Sequence, residues 1–190
     1  MPTANTSQFK RGLKVEIEGE PYLMAEMEFT KPGKGQAVYR TKLRNLLNGR
    51  MLDRTFKNGE TLELADVEER SVQYLYQDGT YFHFMNPDSY EQYELPAEKL
   101  EDIGKFLVEE ATCDVIFWNG TPISVTPPPH VELKVTYTEP GAKGNSTGNV
   151  QKPATVHTGA EITVPIFINV DDVVRVDTRT GEYIERVSKS

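Results

Sequence analysis

Apolar and polar residues alternate over short runs along most of the chain, and residues that favour turns separate these runs. Alternation with a period of two is typical of a strand that buries one face. Asn-Gly or Asp-Gly pairs, which fit two-residue hairpin turns, stand at residues 48–49, 58–59, 78–79 and 119–120. The runs predict strands over Leu13–Ile17, Pro21–Phe29, Val38–Leu47, Arg50–Leu52, Val72–Tyr76, Tyr81–Met85, Val115–Trp118, Thr121–Val125, Val131–Thr138, Glu161–Ile168, Val173–Asp177 and Tyr183–Val187.

One stretch has the spacing of a helix instead. Between Pro96 and Ala111 the apolar residues recur every three or four positions, and a proline suited to a first helical turn begins the run. Its other residues are good helix formers, with the exception of Gly104. The sequence therefore predicts a mainly β protein with a single helix.

Two boundaries divide the chain into three small β modules. A basic segment becomes acidic near residue 65, and three consecutive prolines follow Thr126. Prolines cannot join a central ladder, so they indicate a stiff connector. We expect modules over residues 1–65, 66–128 and 129–190. Short strands with glycine turns suggest closed or nearly closed barrels, including the five-stranded barrel that often binds oligonucleotides.

Composition excludes several classes of protein. The chain has 190 residues, of which 37% are hydrophobic, and no run is long enough to cross a membrane. Its one cysteine cannot form an internal disulfide, and the N-terminal residues do not resemble a secretory signal. We expect a cytoplasmic monomer without a membrane contact.

Charge is distributed unevenly. The formal net charge of −8 argues against nucleic-acid binding by the chain as a whole. The acidic middle module has a balance of −10, from 13 acids and three basic residues, whereas residues 31–57 hold eight lysines and arginines against one acid, Asp53. Such a local field attracts phosphate, although a solvated basic sheet face explains the same pattern equally well.

Catalytic and metal-binding patterns are absent from the sequence. Cys113 begins an apolar strand, which favours a structural thiol, and His83, His130 and His157 have no motif around them. The Gly33-Lys34-Gly35 triplet lacks the spacing of a phosphate-binding loop. We expect a binding protein that is not an enzyme and that has no cofactor or metal.

The loop at residues 30–37 is the most informative segment. Pro32 restricts its entry, and Gly33 and Gly35 remove the side chains on both sides of Lys34. These glycines also permit positive φ. The pattern predicts a narrow hairpin tip from which one long cationic arm projects. An ordinary solvated lysine in a turn is the alternative.

Several blocks of residues occur in order along the whole chain. One is the loop of Lys31, Pro32, Gly33, Lys34 and Gly35, and the others are Gly19–Tyr22, Thr55–Lys57, Tyr74–Tyr76, His83–Met85, Trp118–Val125, Lys152–Thr155, Thr158–Ala160 and Val176–Tyr183. Together these blocks resemble bacterial elongation factor P.

The resemblance implies both a fold and a function. The fold is an N-terminal SH3-like (KOW-like) barrel followed by two OB-fold barrels in an L-shaped arrangement similar to tRNA. The factor binds the 70S ribosome, including its ribosomal RNA, between the P and E sites. It promotes peptide-bond formation at proline-run stalls by steadying peptidyl-tRNA near its CCA end.

The resemblance also assigns roles to residues. Lys34 becomes the site of β-lysylation by a lysyl-tRNA-synthetase-like enzyme, with hydroxylation in some members. Gly144, Asn145 and Ser146 align with a family Gly-Asp-Thr motif that contacts the messenger RNA codon, although Asn145 and Ser146 depart from it. Tyr183 and Arg186 match family positions that contact the peptidyl-tRNA. The alternative is that Tyr183 is a packing residue and that Arg186 is a solvated arginine at the edge of a sheet.

The residues themselves suggest further contacts and one competing function. A second group of cations on the third predicted strand could hold the tRNA backbone beside the tip: Arg40, Lys42 and Arg44. The competing hypothesis is a plain RNA-binding or scaffold protein with OB-type barrels and no ribosomal role.

Overall fold

The computed structural model describes residues 2–141 and 150–189. Strands make up 57% of the residues that the structure describes, as predicted for a mainly β protein. They form three antiparallel sheets that follow one another along the sequence, and each sheet surrounds apolar side chains. No helix in the described ranges is long and apolar enough to cross a membrane.

The first sheet has six strands in the order β1-β6-β2-β3-β4-β5. Phe9, Val15, Met24, Leu43 and Phe56 are among the buried residues that form its core. A short 3-10 turn over Thr6–Gln8 follows β1. The bounds are β1 Thr3–Asn5, β2 Lys14–Ile17, β3 Glu20–Thr30, β4 Val38–Asn45, β5 Met51–Lys57 and β6 Thr61–Leu64.

The second sheet has five strands in the order β11-β10-β7-β8-β9. An irregularity at Leu75 interrupts the pairing of β7 with β8, because Tyr74 lies opposite Phe84 while Tyr76 lies opposite His83. The bounds are β7 Val67–Gln77, β8 Tyr81–Met85, β9 Gln92–Pro96, β10 Thr112–Trp118 and β11 Thr121–Thr126.

The third sheet has five strands in the order β14-β13-β12-β15-β16. Leu133, Val135, Val164, Ile168 and Val174 are completely buried in its core. The bounds are β12 His130–Thr138, β13 Gln151–Val156, β14 Glu161–Pro165, β15 Val173–Asp177 and β16 Tyr183–Ser188.

The predicted helix over Pro96–Ala111 is wrong in length. A 3-10 turn covers Ala97–Leu100, and the α-helix α1 covers only Glu101–Gly104. A Cβ on Gly104 would lie 2.6 Å from the Phe82 ring, so this backbone lies directly against the barrel. The chain then turns away, because packing against the sheet outweighs the helical propensity of the later residues.

Contacts divide the chain into two compact units. The first comprises residues 1–70 and 115–124, and the second comprises residues 71–114 and 125–190. The first sheet lies within the first unit and the third sheet within the second. Strands β7, β10 and β11 contribute residues to both.

Candidate functional site

The predicted tip loop joins β3 to β4. The ladder between these strands ends at the pair Thr30 and Val38, and residues 31–36 are all exposed. The Gly35 N–H lies 3.3 Å from the Pro32 carbonyl oxygen and donates a hydrogen bond to it. The loop is therefore a tight exposed turn at the end of a long hairpin.

The two loop glycines leave Lys34 without neighbouring side chains, but they do not use the positive φ that glycine permits. Neither Gly33 nor Gly35 adopts a positive φ. A Cβ on Gly35 would lie 3.0 Å from Cγ of Pro32, whereas a Cβ on Gly33 would meet no atom within 4 Å. A side chain at position 35 would therefore crowd the Pro32 ring, whereas one at position 33 would meet open space.

Aromatic side chains support the base of the loop. The ring centroids of Phe29 and Tyr39 are 5.0 Å apart, and Tyr39 lies 6.1 Å from Phe9, which in turn packs edge to face on Phe56. The Asn58 N–H donates to the Ala37 carbonyl oxygen at 3.1 Å. These contacts pack the base of the hairpin against the core and so fix the position from which the loop projects.

Lys34 occupies the exposed turn of this loop. Its side chain has no hydrogen bond or ion pair with any residue that the structure describes. The ammonium group is thus available to a partner or to a modifying enzyme. A long flexible cation of this kind can hold a bound partner in position. The loop has no carboxylate, histidine or cysteine beside Lys34 that would supply acid–base or covalent chemistry.

Arg40, Lys42 and Arg44 project from one side of β4, where they alternate with buried residues. Carboxylates on the neighbouring strands face two of them. Glu26 lies opposite Lys42, with Oε2 3.8 Å from Nζ, and Glu28 lies opposite Arg40. Both glutamates precede residue 31, so the charge count of residues 31–57 leaves them out. That count therefore overstates the positive charge around these side chains.

A recess of about 600 Å³ lies over β3, β4 and β5. It is also lined by Arg11, which the sequence analysis did not single out, and by Arg54, one of the eight cations counted in residues 31–57. Neither forms an ion pair within the described ranges. The register of β4 and β5 places Arg54 opposite the buried Thr41, so its side chain lies on the other face of the sheet from Arg40 and Lys42. Arg54 therefore does not extend the row of exposed cations on β4.

Tyr183 and Arg186 lie on β16 in the third sheet. Tyr183 packs against the core, and burial raises the pKa of its hydroxyl. Arg186 Nη1 lies 3.7 Å from Oδ2 of the buried Asp172, and its guanidinium lies 5.0 Å from the centre of the exposed Phe167 ring. Both side chains therefore have structural contacts of their own.

The predicted message-contacting residues Gly144, Asn145 and Ser146 lie outside the described residues. On one side of that segment, a Cβ on Gly141 would lie 2.8 Å from the Ile166 carbonyl oxygen. On the other side, the buried Lys152 donates from Nζ to the Glu139 carbonyl oxygen. Gly141 and Lys152 are thus both in contact with the third sheet.

The described ranges contain no group of three or more His, Cys, Asp or Glu residues that could hold a metal ion. Cys113 is buried, and burial raises the pKa of its thiol to about 11. A protonated buried thiol is a poor nucleophile. The sulfur accordingly has the environment of a packing residue.

Three family models match consecutive parts of the chain. The KOW-like domain of elongation factor P matches residues 5–62, its OB domain matches residues 67–125, and its C-terminal domain matches residues 131–186. The predicted fold class is confirmed by these matches and by the sheets described above.

Solved structures with a similar fold include two related proteins. Eukaryotic translation initiation factor 5A from Methanococcus jannaschii is 24% identical, with a TM-score of 0.53 over 66% of this chain and 92% of that chain. A translation initiation factor eIF-5A family protein from Naegleria fowleri is 18% identical, with a TM-score of 0.50 over 66% of this chain and 97% of that chain. At these identities the likeness shows the fold alone. The three family matches cover nearly the whole sequence in order, and the chain belongs to the elongation factor P family of translation factors.

Proposed function

We propose that this protein binds the ribosome between the P and E sites and promotes peptide-bond formation where consecutive prolines stall translation. The exposed Lys34 loop carries the proposal, because it presents one unpaired cation at the end of a supported hairpin. In this proposal, Lys34 reaches the CCA end of peptidyl-tRNA. Lys31, Pro32, Gly33 and Gly35 form the narrow tip that allows its entry.

The contribution to catalysis is positioning. Proline is a poor attacking amine, and peptide transfer depends on the alignment of its two reactants. A cation that holds the CCA backbone still lowers the entropic part of the barrier and moves no proton itself. For this role Lys34 requires a long side chain and hydrogen-bond donors, but no neighbouring base. The tip loop, which has no carboxylate or histidine, agrees with that requirement.

A β-lysyl group on Lys34 would extend this reach. In the proposal, a lysyl-tRNA-synthetase-like enzyme transfers the group to Nζ. The exposure of residues 31–36 supports enzyme access, since no described residue covers them. The lengthened arm would carry additional amines to phosphate and ribose oxygens.

The remaining predicted contacts belong to the same proposal. Arg40, Lys42 and Arg44 would hold the tRNA backbone beside the tip, with Arg44 the least opposed by carboxylates. Tyr183 and Arg186 would meet the tRNA from the third sheet, where Arg186 would exchange part of its pairing with Asp172. Gly144, Asn145 and Ser146 would contact the message.

Replacing Lys34 tests the proposal directly. We expect Lys34→Ala to leave the fold intact, because the side chain is exposed, and to abolish stimulation of a reporter that contains a proline run. The measurement is the translation rate of that reporter in a reconstituted system, beside a reporter without prolines. Lys31→Ala, in the same exposed loop, is the matched control and should retain most of the stimulation.

A second variant separates charge from modification. Lys34→Arg keeps a cation but cannot accept a β-lysyl group on Nζ, so we expect it to lose most of the stimulation. The intact mass of native protein should exceed the sequence mass by one lysyl residue, located on the peptide that contains Lys34. Full stimulation by Lys34→Ala would contradict the proposal. Full stimulation by Lys34→Arg would show that stimulation does not require the β-lysyl group.

A further inference from the structure

The outer side of the β7–β8–β9 meander carries aromatic side chains that the barrel core does not use. Tyr76 is 50% exposed and Tyr81 is 36% exposed. The Tyr76 ring stacks on the His83 ring with a centroid distance of 4.4 Å and an interplanar angle of 19°. The irregularity at Leu75 brings Tyr76 opposite His83, and it places this stacked pair on the outer side.

Carboxylates flank the stacked pair. The Asp78 Oδ2 atom lies 2.9 Å from Nε2 of His83, and the Glu94 Oε2 atom lies 3.9 Å from Nδ1 of the same ring. From Ser71 to Glu98 the sequence contains five acids and no lysine or arginine. Within residues 71–98, which include the stacked pair and its flanking carboxylates, every permanent charge is therefore negative; Arg70, at the other end of β7, pairs with Glu68.

This location is significant for the barrel type. Strands β8 and β9 are the second and third strands of the second sheet, which is the surface that OB-fold barrels commonly use to bind oligonucleotides. Oligonucleotide sites combine aromatic rings with cations that neutralise phosphate. Here the aromatic rings are present but the charges have the opposite sign, so the phosphate backbone would be repelled.

We propose that this face, composed of Tyr76, Asp78, Tyr81, His83 and Glu94, binds an arginine-bearing segment of another protein. A guanidinium can stack on an exposed tyrosine ring while it donates hydrogen bonds to neighbouring carboxylates. Lysine has a compact, strongly hydrated ammonium group and gains less from the ring. The face thus favours arginine over lysine and protein over nucleic acid.

The proposal is independent of Lys34 and of the role in translation described above. Residues of the face lie in the second sheet, and none belongs to the tip loop or to the cations of β4. A failure of the peptide experiment below would leave the Lys34 proposal unchanged. Likewise, an inactive tip loop would not affect binding at this face.

The test is a titration of the full-length, isotope-labelled chain with a hexapeptide of alternating arginine and serine, at about 150 mM salt to screen unspecific attraction. We expect the largest chemical-shift changes at Tyr76, His83 and Glu94. Tyr76→Ala should weaken binding about twofold to fivefold, which corresponds to an exposed cation–π contact. The lysine–serine peptide should bind more weakly than the arginine peptide.

Two variants serve as controls. Tyr76→Phe keeps the ring and should bind as the natural chain does. Glu63→Gln removes one exposed carboxylate from the first sheet, whereas Glu94→Gln removes one from the proposed face, so only the latter should weaken binding. Equal losses from Glu63→Gln and Glu94→Gln, shifts spread over all acidic surfaces, or competition by an RNA oligonucleotide at this face would overturn the proposal.

Discussion

Lys34 and Lys152 have the same side chain in opposite surroundings. Lys34 is exposed and unpaired in the described chain, while Lys152 is buried and donates to the Glu139 carbonyl oxygen. Desolvation lowers the pKa of Lys152, although Asp172 and Glu139 oppose the shift. Of these two, Lys34 is the one that a modifying enzyme can reach, so surroundings, not residue type, distinguish the proposed functional lysine from the structural one.

Asp78 provides a pH test at this scale. Hydrogen bonds from His83 and from the N–H groups of Tyr81 and Thr80 lower the pKa of its carboxyl to about 2. A pKa lowered by folding contributes stability that is complete above the unfolded pKa of about 4 and is lost as the pH falls towards 2. We expect the urea midpoint to decrease over this window in the natural chain.

Asp78→Asn should make this decrease smaller, because the amide does not titrate. The measurement is the urea midpoint at several pH values between about 4.5 and 2, with Asp53→Asn as the control. Asp53 lies in the first sheet and has no part in the Asp78 turn. Identical pH profiles for Asp78→Asn and the natural chain would show that the lowered pKa does not stabilise the fold.

At the scale of elements, β4 shows how neighbouring strands change the meaning of a charge pattern. Its cations were visible in the sequence, but the carboxylates opposite them belong to β3 and β5. Lys42 lies between Glu26 and Asp53, whereas Arg44 lies between Leu23 and Met51. The same strand therefore presents one compensated cation and one uncompensated cation.

This difference predicts unequal effects on RNA binding. Arg44→Gln should weaken the binding of a tRNA acceptor minihelix more than Lys42→Gln, because a cation already paired with a carboxylate gives up part of that pairing to bind phosphate. The affinity of each full-length variant at a fixed salt concentration provides the measurement. Equal losses would mean that Glu26 does not compete with phosphate for Lys42.

Alternation along the sequence predicted only part of the strand pattern. It predicted most of the longer strands, and the Asn-Gly and Asp-Gly pairs predicted their turns. The short strands β1, β6 and β9 were missed, as was β13, because Pro153 and the buried Lys152 interrupt its apolar pattern. The tip loop was predicted from its residues, but the Gly35 contact with Pro32 depends on backbone geometry that no periodicity encodes.

At the scale of the whole molecule, opposite charges are concentrated in different parts of the chain. Positive charge is concentrated in the first sheet beside the tip loop, while the middle of the sequence holds most of the negative charge. This distribution favours one orientation on a polyanionic partner, since the acidic middle is repelled where the basic strands are attracted. Net charge alone would have excluded RNA binding, which makes the distribution more informative than the total.

The second and third sheets are connected by more than the chain. Phe106 and Val108 pack against the third core, and Thr158 Oγ1 donates to the Lys105 carbonyl oxygen. The Thr178 hydroxyl donates to the Pro128 carbonyl oxygen at 2.6 Å, which holds the proline connector. These contacts favour a fixed connector over a free hinge.

Phe106→Ala tests this connection. Since Phe106 is only half-buried, we expect the free energy of unfolding to decrease by about 1–3 kcal/mol, less than for a fully buried phenylalanine. We also expect calorimetry to resolve two transitions in place of one for the second and third sheets. Lys105→Ala, which removes an exposed side chain, is the control. A single transition in Phe106→Ala would show that the two sheets do not depend on this contact.

The irregularity at Leu75 has a consequence for how this chain can change. Strict alternation along β7 would give Tyr76 the same side as the buried Tyr74. The extra residue at Leu75 reverses the side of every residue that follows it, so Tyr76 lies opposite His83 on the outer side. A regular register, with Leu75 itself opposite His83, would carry the Tyr76 ring inward and separate the pair although both residues remained. A single backbone position, with no chemistry of its own, therefore determines on which side the Tyr76 ring lies.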